Sequence, residues 1–162
     1  MITQAKLMEL LSYEPETGVF RWLVSGKGRN SSGIAGNIDH HGYHKIVIMG
    51  IEYKTHRLSW LYVYGNWPDD QIDHINLVRH DNRIANLREA TRSENMGNKL
   101  KYCNNRSGHK GVSLAKRGKK WRSSIKINGK VINLGSFDEL SDAASAYERA
   151  AKEHFGQFAR VA

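Results

Sequence analysis

The sequence holds a single cysteine, Cys103, in 162 residues. One thiol makes no internal disulfide and builds no thiolate metal cage. No apolar run approaches the roughly 20 residues that a helix needs to cross a bilayer. The first residues, MITQAKLMELLSYEPETG, lack the basic-then-apolar order of a secretion signal, so a cytosolic protein is expected. There is no repeat longer than a hairpin and no low-complexity tract. The last scarcity is of acid. Residues 99–137 contain 11 lysines and arginines and not one carboxylate.

That gap organises the charge of the whole chain. Residues 1–98 hold 11 basic and 11 acidic side chains and are neutral, whereas residues 99–162 hold 14 basic and 5 acidic, giving the full +9. Scattered charge is an ordinary solvated face. A long basic stretch without acid instead favours nucleic acid as partner, ahead of an anionic membrane or an acidic protein. With 40% apolar residues, the chain suits one domain or two small ones with modest cores.

Apolar spacing predicts a short helix over Ile2 to Leu11, broken by Pro15 and Gly18, then a strand at 19–24. Residues 25–37, rich in Gly, Ser and Asn, read as a loop. Residues 43–58 read as a hairpin turning near Gly50, and 58–65 as a short helix stopped by Gly65. A turn at 67–70 leads to a short strand, QIDHINL, and a polar loop. A second helix is expected within 82–100, with Thr91 or Ser93 as its cap and Glu94 in its first turn. Residues 97–109 have a linker-like mixture. Beyond them, 110–116, 119–128 and 130–137 read as three strands with turns at Gly118 and Asn128-Gly129, the latter a strong hairpin signal. A helix over 138–156 follows, with Asp138 as cap, Gly156 as stop, and Leu140, Ala143, Ala144, Tyr147 and Ala151 on one face.

Asp73-His74 sits at the end of the short strand, with Asn86 and Asn95 downstream. If strand, loop and helix fold back on one another, Asp73, His74 and Asn95 can converge. A carboxylate and an amide oxygen are hard ligands that suit Mg²⁺ or Mn²⁺. A neutral imidazole beside such an ion can take a proton from a water attacking phosphorus. On spacing alone, a lone Asp-His pair is more often a turn or a satisfied surface pair than a metal site, and Asn86 more often a loop organiser than a ligand.

Several words in order sharpen this. HRL (56–58), IDHI (72–75), DNRIANLR (81–88) and SEN (93–95), with GVFRW (18–22), GY (42–43) and YKTHRL (53–58) upstream, resemble the HNH nucleases of phage homing endonucleases over roughly residues 12–98. The resemblance implies an α+β chain that starts with a small ββα-metal nuclease domain. It implies His74 as general base, Asp73 and Asn95 as ligands of one divalent metal per active site, Mg²⁺ or Mn²⁺, and Asn86 as the residue that holds the loop and orients His74 through the backbone. His and Glu are common where this chain has Asp73, and His where it has Asn95, so the oxygen set here fits Mg²⁺ better than Zn²⁺. His56 is taken as structural or phosphate-facing. Arg79, Arg83 and Arg88, with His80, are candidates for backbone phosphates.

The tail carries its own resemblance. SGHKGV (107–112), KW (120–121), IK (125–126), LGSF (134–137) and AASAY (143–147), with Ala150-Ala151 and Gly156, are similar to the ethylene-response-factor (Apetala) type of DNA-binding domain. That family implies a three-stranded antiparallel sheet packed on one helix. On its open face the candidates for DNA contact are Lys110, Lys116, Arg117, Lys119, Lys120, Arg122, Lys126 and Lys130. Lys110 stands where the family has its first Arg, Ser113 and Ala115 where two more Arg are expected, and Ser124, Val131 and Asn133 where Glu, Arg and Trp are usual. The plant target sequence therefore does not transfer, whereas phosphate affinity carried by charge does.

The expected organisation is a nuclease domain over 1–98 with its metal core near 70–98, a linker at 99–106, and a DNA-binding domain over 107–162. The expected activity is site-specific, homing-type DNA cleavage, nicking one strand per active site. The expected partner is double-stranded DNA and not a membrane. The chain is expected to work as a monomer, with a dimer as alternative, in the cytoplasm of a phage-infected bacterium. The rival reading is a DNA-binding regulator with an inactive nuclease domain.

Overall fold

The structure, a computed structural model, describes residues 1–24, 26, 33–115 and 119–161. Contacts between Cα atoms divide it into two compact units, Met1–Glu89 and Ala90–Ala162. Both mix helices with small sheets, as expected for an α+β chain.

The first unit opens with helix α1 (Gln4–Leu10), whose N-cap Thr3 accepts a hydrogen bond from the Lys6 N–H. The apolar spacing runs on through Leu11, but the helix does not. Leu11–Glu14 forms strand β1 against β2 (Val19–Trp22), with Leu11 opposite Trp22 and Glu14 opposite Val19. Pairing overrides helical periodicity here because Leu11, Tyr13 and Phe20 enter the core together. Strands β3 (Asn37–Ile38), β4 (His44–Ile48) and β5 (Ile51–Lys54) make an antiparallel sheet in that order. Helix α2 (Thr55–Tyr64) starts directly after β5, three residues before the expected end of the hairpin. It stops at Gly65, a left-handed residue whose N–H bonds the Leu61 carbonyl. Leu7, Leu11, Phe20, Ile46, Ile48, Leu58 and Leu61 form the centre of this unit's core. Strand β6 (Gln71–His74) then leads into a polar loop and a 3-10 turn (Ile84–Asn86). Strand β7 (Leu87–Ala90), which the sequence reading did not foresee, pairs with β6.

The second unit holds α3 (Arg92–Asn98), capped by Thr91 and Glu94 in a reciprocal capping box, so Thr91 and not Ser93 is the cap. Strands β8 (Val112–Leu114), β9 (Trp121–Ile127) and β10 (Lys130–Phe137) form an antiparallel sheet with β9 in the middle. Asn128 and Gly129, both at positive φ, turn β9 into β10, as Asn-Gly predicts. Helix α4 (Leu140–Phe155) lays Ala143, Tyr147, Ala150, Ala151 and Phe155 against Val112 and Ile125. Asp138 is not its cap. The N-cap is Glu139, which makes no side-chain capping bond, and Asp138 is ion-paired with Lys120 instead.

The expected linker at 99–106 and the observed division differ in where α3 goes. Lys110 Nζ donates to the Met96, Gly97 and Lys99 carbonyls at the C-terminal end of α3. The Asn128 N–H donates to Ser93 Oγ, and Gly97 lies so close to Phe155 that a Cβ there would sit 2.8 Å from the ring. These contacts pack α3 with the C-terminal sheet and helix.

Candidate active site

Strand β6 ends in two successive buried polar residues, Asp73 at 3% and His74 at 5% exposure. Side chains alternate along a strand, so both faces are covered here, and each polar group needs a partner to offset the loss of water. Asp73 Oδ2 accepts from Arg88 Nε at 2.9 Å and lies 2.9 Å from Nη2, across the β6–β7 sheet. The sequence reading offered Arg88 to phosphate; the structure places it on Asp73. His74 Nε2 lies 3.3 Å from Oδ1 of Asn82, a side chain that is 2% exposed. The other flank of His74 is aromatic. The His56 ring from α2 meets it edge-on at 5.1 Å, and Tyr43 lies 6.1 Å away.

Burial lowers the pKa of His74, with Arg79 acting in the same direction and Asn82, Asp73 and Asp81 opposing. Burial also pushes His56 down to about 3, helped by His74, Arg57 and Lys54. Both rings are therefore neutral at pH 7, and a neutral imidazole is the form that can accept a proton. His56 Nδ1 is buried without a hydrogen-bond partner among the described residues.

The loop between β6 and β7 is fastened by Asn86. Its Oδ1 accepts the Asn76 N–H at 3.0 Å, and its Nδ2 donates to Asn76 Oδ1 at 3.0 Å and to the Asp81 carbonyl at 2.9 Å. The Asn86 carbonyl also takes the Ile75 N–H at 2.9 Å, one residue beyond His74. Arg83 is engaged by Asp81 at 2.8 and 2.6 Å. Arg79 donates to the His41 carbonyl at 2.8 Å and lies over the Tyr43 ring. Asn95 is on α3, in the second unit, with its backbone N–H on the Thr91 carbonyl.

Two residues of this arrangement had no role in the sequence reading: Asn82 and Tyr43. Both lie inside the quoted words, DNRIANLR and GY, but a polar residue in a polar loop gives no local sign that its side chain is buried on an imidazole.

Among the described residues no group of three or more His, Cys, Asp or Glu is placed to hold a metal. What β6 offers is one buried carboxylate oxygen set, a hard donor. It fits a cation that takes few protein ligands and fills its shell with water and phosphate oxygens, as Mg²⁺ and Mn²⁺ do.

In the second unit, Arg122, Ser124 and Lys126 alternate with the inward-facing Ser123 and Ile125 on β9 and share its outer face. Ser113 on β8 and Ser136 on β10 flank Arg122, and Val131 on β10 stands opposite Lys126. Lys119, Lys120 and Lys130 are exposed at strand ends. Trp121 packs against the apolar cluster under α4. Lys120 pairs with Asp138, and Lys110 is also engaged, because its amine is turned to the α3 carbonyls. Burial, with Arg160 and Lys99 nearby, lowers its pKa to about 8. Lys116, Arg117 and the Gly118 turn lie outside the described residues. No helix among the described residues is long and apolar enough to cross a membrane.

Residues 53–97 match the HNH endonuclease family, a span that includes His56, Asp73, His74, Asn86 and Asn95. No solved structure matches the chain. Over 108 residues the chain is 39% identical to Protein 3.8 of Escherichia phage T7, covering 66% of this chain and 88% of that protein. The chain thus belongs to one family with this phage protein and carries an HNH endonuclease domain.

Proposed function

We propose that the protein is a site-specific, homing-type DNA endonuclease that hydrolyses phosphodiester bonds of double-stranded DNA with one divalent metal, nicking one strand per active site. The observation that carries this reading is the buried, neutral His74 beside the buried carboxylate of Asp73 at the end of β6. His74 takes the proton of a water whose oxygen bonds to phosphorus as the ester oxygen leaves. Asp73 and, by the family resemblance, Asn95 hold the ion, Mg²⁺ or Mn²⁺. The ion's contribution is to stabilise the charge that develops on the phosphate and the leaving oxygen. Asn86 keeps the loop, and with it the backbone around His74, in place.

The basic sheet of the second unit supplies affinity. Lys119, Lys120, Arg122, Lys126 and Lys130 are its candidate contacts, with Lys116 and Arg117. Its likeness to ethylene-response-factor domains supports a sheet face lying on duplex DNA. Lys110, Lys120, Arg88 and Arg83 have protein partners that a phosphate would have to displace, and Arg79 has one donor on the His41 carbonyl. A single active site suits a monomer acting in the cytoplasm of a phage-infected bacterium, and a double-strand break would need a second copy or a second visit.

Supercoiled plasmid, incubated with Mg²⁺ or Mn²⁺, tests the reading. Wild type should convert it to the relaxed form, and His74→Ala should lower that rate by at least about a hundredfold while still shifting DNA on a gel. Equal gel shifts with no relaxation by either protein would leave a DNA-binding regulator.

A further inference from the structure

The buried amide of Asn82 does something the family pattern did not assign. Its Nδ2 donates to the His80 carbonyl at 3.1 Å, and its Oδ1 faces His74 Nε2 at 3.3 Å. Only one orientation of the amide works. Turned over, it would set a side-chain oxygen against the His80 carbonyl oxygen, two acceptors with no hydrogen between them. With Oδ1 fixed toward the imidazole, the nitrogen it faces must carry a hydrogen. A neutral imidazole has one N–H, so if Nε2 holds it, the lone pair available for a proton is on Nδ1.

Asn82 is itself held from three sides. The Tyr13 hydroxyl donates to its carbonyl at 2.7 Å. Gly18, at φ +71°, lies so close that a Cβ there would come within 2.5 Å of the Asn82 carbonyl carbon and 2.4 Å of the Arg83 nitrogen. The His80 carbonyl takes its amide nitrogen. The hairpin of β1 and β2 therefore packs against the Asn82 backbone, and the Asn82 side-chain amide faces His74. A long hydrogen bond of this kind shortens when the ring gains a proton, because the donor then carries charge.

We propose that Asn82 is the positioning residue of the reaction, fixing His74 as the Nε2–H tautomer so that Nδ1 is the atom that takes the proton from water. This rests on the reading of His74 as the general base. The nearest precedent in physical terms is any imidazole base whose second nitrogen is anchored by a buried acceptor, where the anchor sets both tautomer and ring direction.

The test is the nitrogen NMR spectrum of the full chain, labelled at histidine, at pH 7. The His74 signals are assigned by their loss in His74→Gln. Wild type should show a protonated, pyrrole-type Nε2 and an unprotonated, pyridine-type Nδ1. In Asn82→Ala the ring should shift to a mixture of the two tautomers, and kcat for plasmid relaxation should fall by at least about tenfold with KM changed by less than about twofold. A wild-type spectrum with the proton on Nδ1, or an Asn82→Ala spectrum unchanged from wild type, overturns the proposal. Should Asn82→Ala fail to fold, the wild-type spectrum alone decides. Because that spectrum needs no cleavage, it is independent of the plasmid experiment: His74→Ala retaining activity would sink the general base and leave the tautomer measurement standing.

Discussion

Asp73 and Arg88 show how a residue's burial sets the cost of losing its partner. Their side chains are 4% and 14% exposed, and the guanidinium contacts one carboxylate oxygen through two nitrogens. A buried pair contributes little net over an apolar pair of the same shape, but removing one member strands the other. Arg88→Ala should therefore destabilise the protein by about 3 kcal/mol in urea unfolding, more than a surface arginine, which costs well under about 1 kcal/mol. An Arg88→Ala variant as stable as wild type would mean that Asp73 does not depend on this contact. His56 makes a pH argument of the same kind. Its folded pKa of about 3 lies below the ordinary 6.5. Between those values the unfolded chain binds a proton that the folded chain refuses, so stability falls as pH drops from about 6.5 toward 3, by up to about 1.4 kcal/mol per pH unit. The lowered pKa of His74 has the same sign, whereas that of Asp81, held down to about 2 chiefly by Arg83, matters only in stronger acid, where its stabilisation is lost. Urea unfolding at pH 7 and pH 5 should show a clear loss at the lower pH, and His56→Phe should flatten it. An equal slope in the variant would remove His56 as its source.

At the scale of the element, the hairpin of β1 and β2 decides more than its size suggests. Gly18 and Gly42 both stand at positive φ, +71° and +81°, so an alanine at either costs about 1 kcal/mol of backbone strain. They differ in what a Cβ would meet: backbone of Asn82 and Arg83 at Gly18, and open space at Gly42. Gly42→Ala should thus lower stability by only that strain, whereas Gly18→Ala should cost at least about 2 kcal/mol and disturb the His74 tautomer as well. Equal thermal shifts for the two variants would show that the close approach at Gly18 is not felt. The sequence made Gly18 visible as a chain breaker but not as a close contact, and that contrast runs through the molecule. Elements with a local signature were legible: the Asn128-Gly129 turn, the Thr91 cap and the alanine-rich face of α4. Strands β1 and β7 were not, because Leu11 and Leu87 follow no local pattern that says they will pair with Trp22 or lie beside β6. The assignment of α3 to the second unit was equally hidden, resting on Lys110, Phe155 and Asn128, which lie far along the chain. In the candidate site, Asp73, His74 and Asn86 could be named from ordered words in the sequence. Asn82 on His74 and Arg88 on Asp73 could not, since each is a meeting of side chains from different segments.

For the whole molecule, charge and packing pull against the simplest test of the tail. Residues 1–89 are neutral, with 10 basic and 10 acidic side chains, and residues 90–162 carry the entire +9. Removing residues 107–162 would take away most of that charge. It would also remove Lys110 and Phe155, which pack α3, so lost cleavage after truncation would not separate affinity from the integrity of α3. Neutralising charge on an intact sheet makes that separation. Arg122 and Lys126 are exposed on the outer face of β9, whereas the Lys110 amine is bound to α3's backbone carbonyls. Each phosphate contact releases counterions and adds about 0.9 to the slope of log affinity against log salt. The double variant Arg122→Gln/Lys126→Gln should therefore bind duplex DNA more weakly at low salt, with a slope shallower by about 2 and a melting temperature close to wild type. If the slope is unchanged, these two side chains do not face phosphate, and the sheet's open face is not the surface that holds DNA. If it falls by the full amount, the neutral unit owes its hold on a duplex to the basic one, and at saturating enzyme the variant should still nick, because nothing in the surroundings of His74 has been altered.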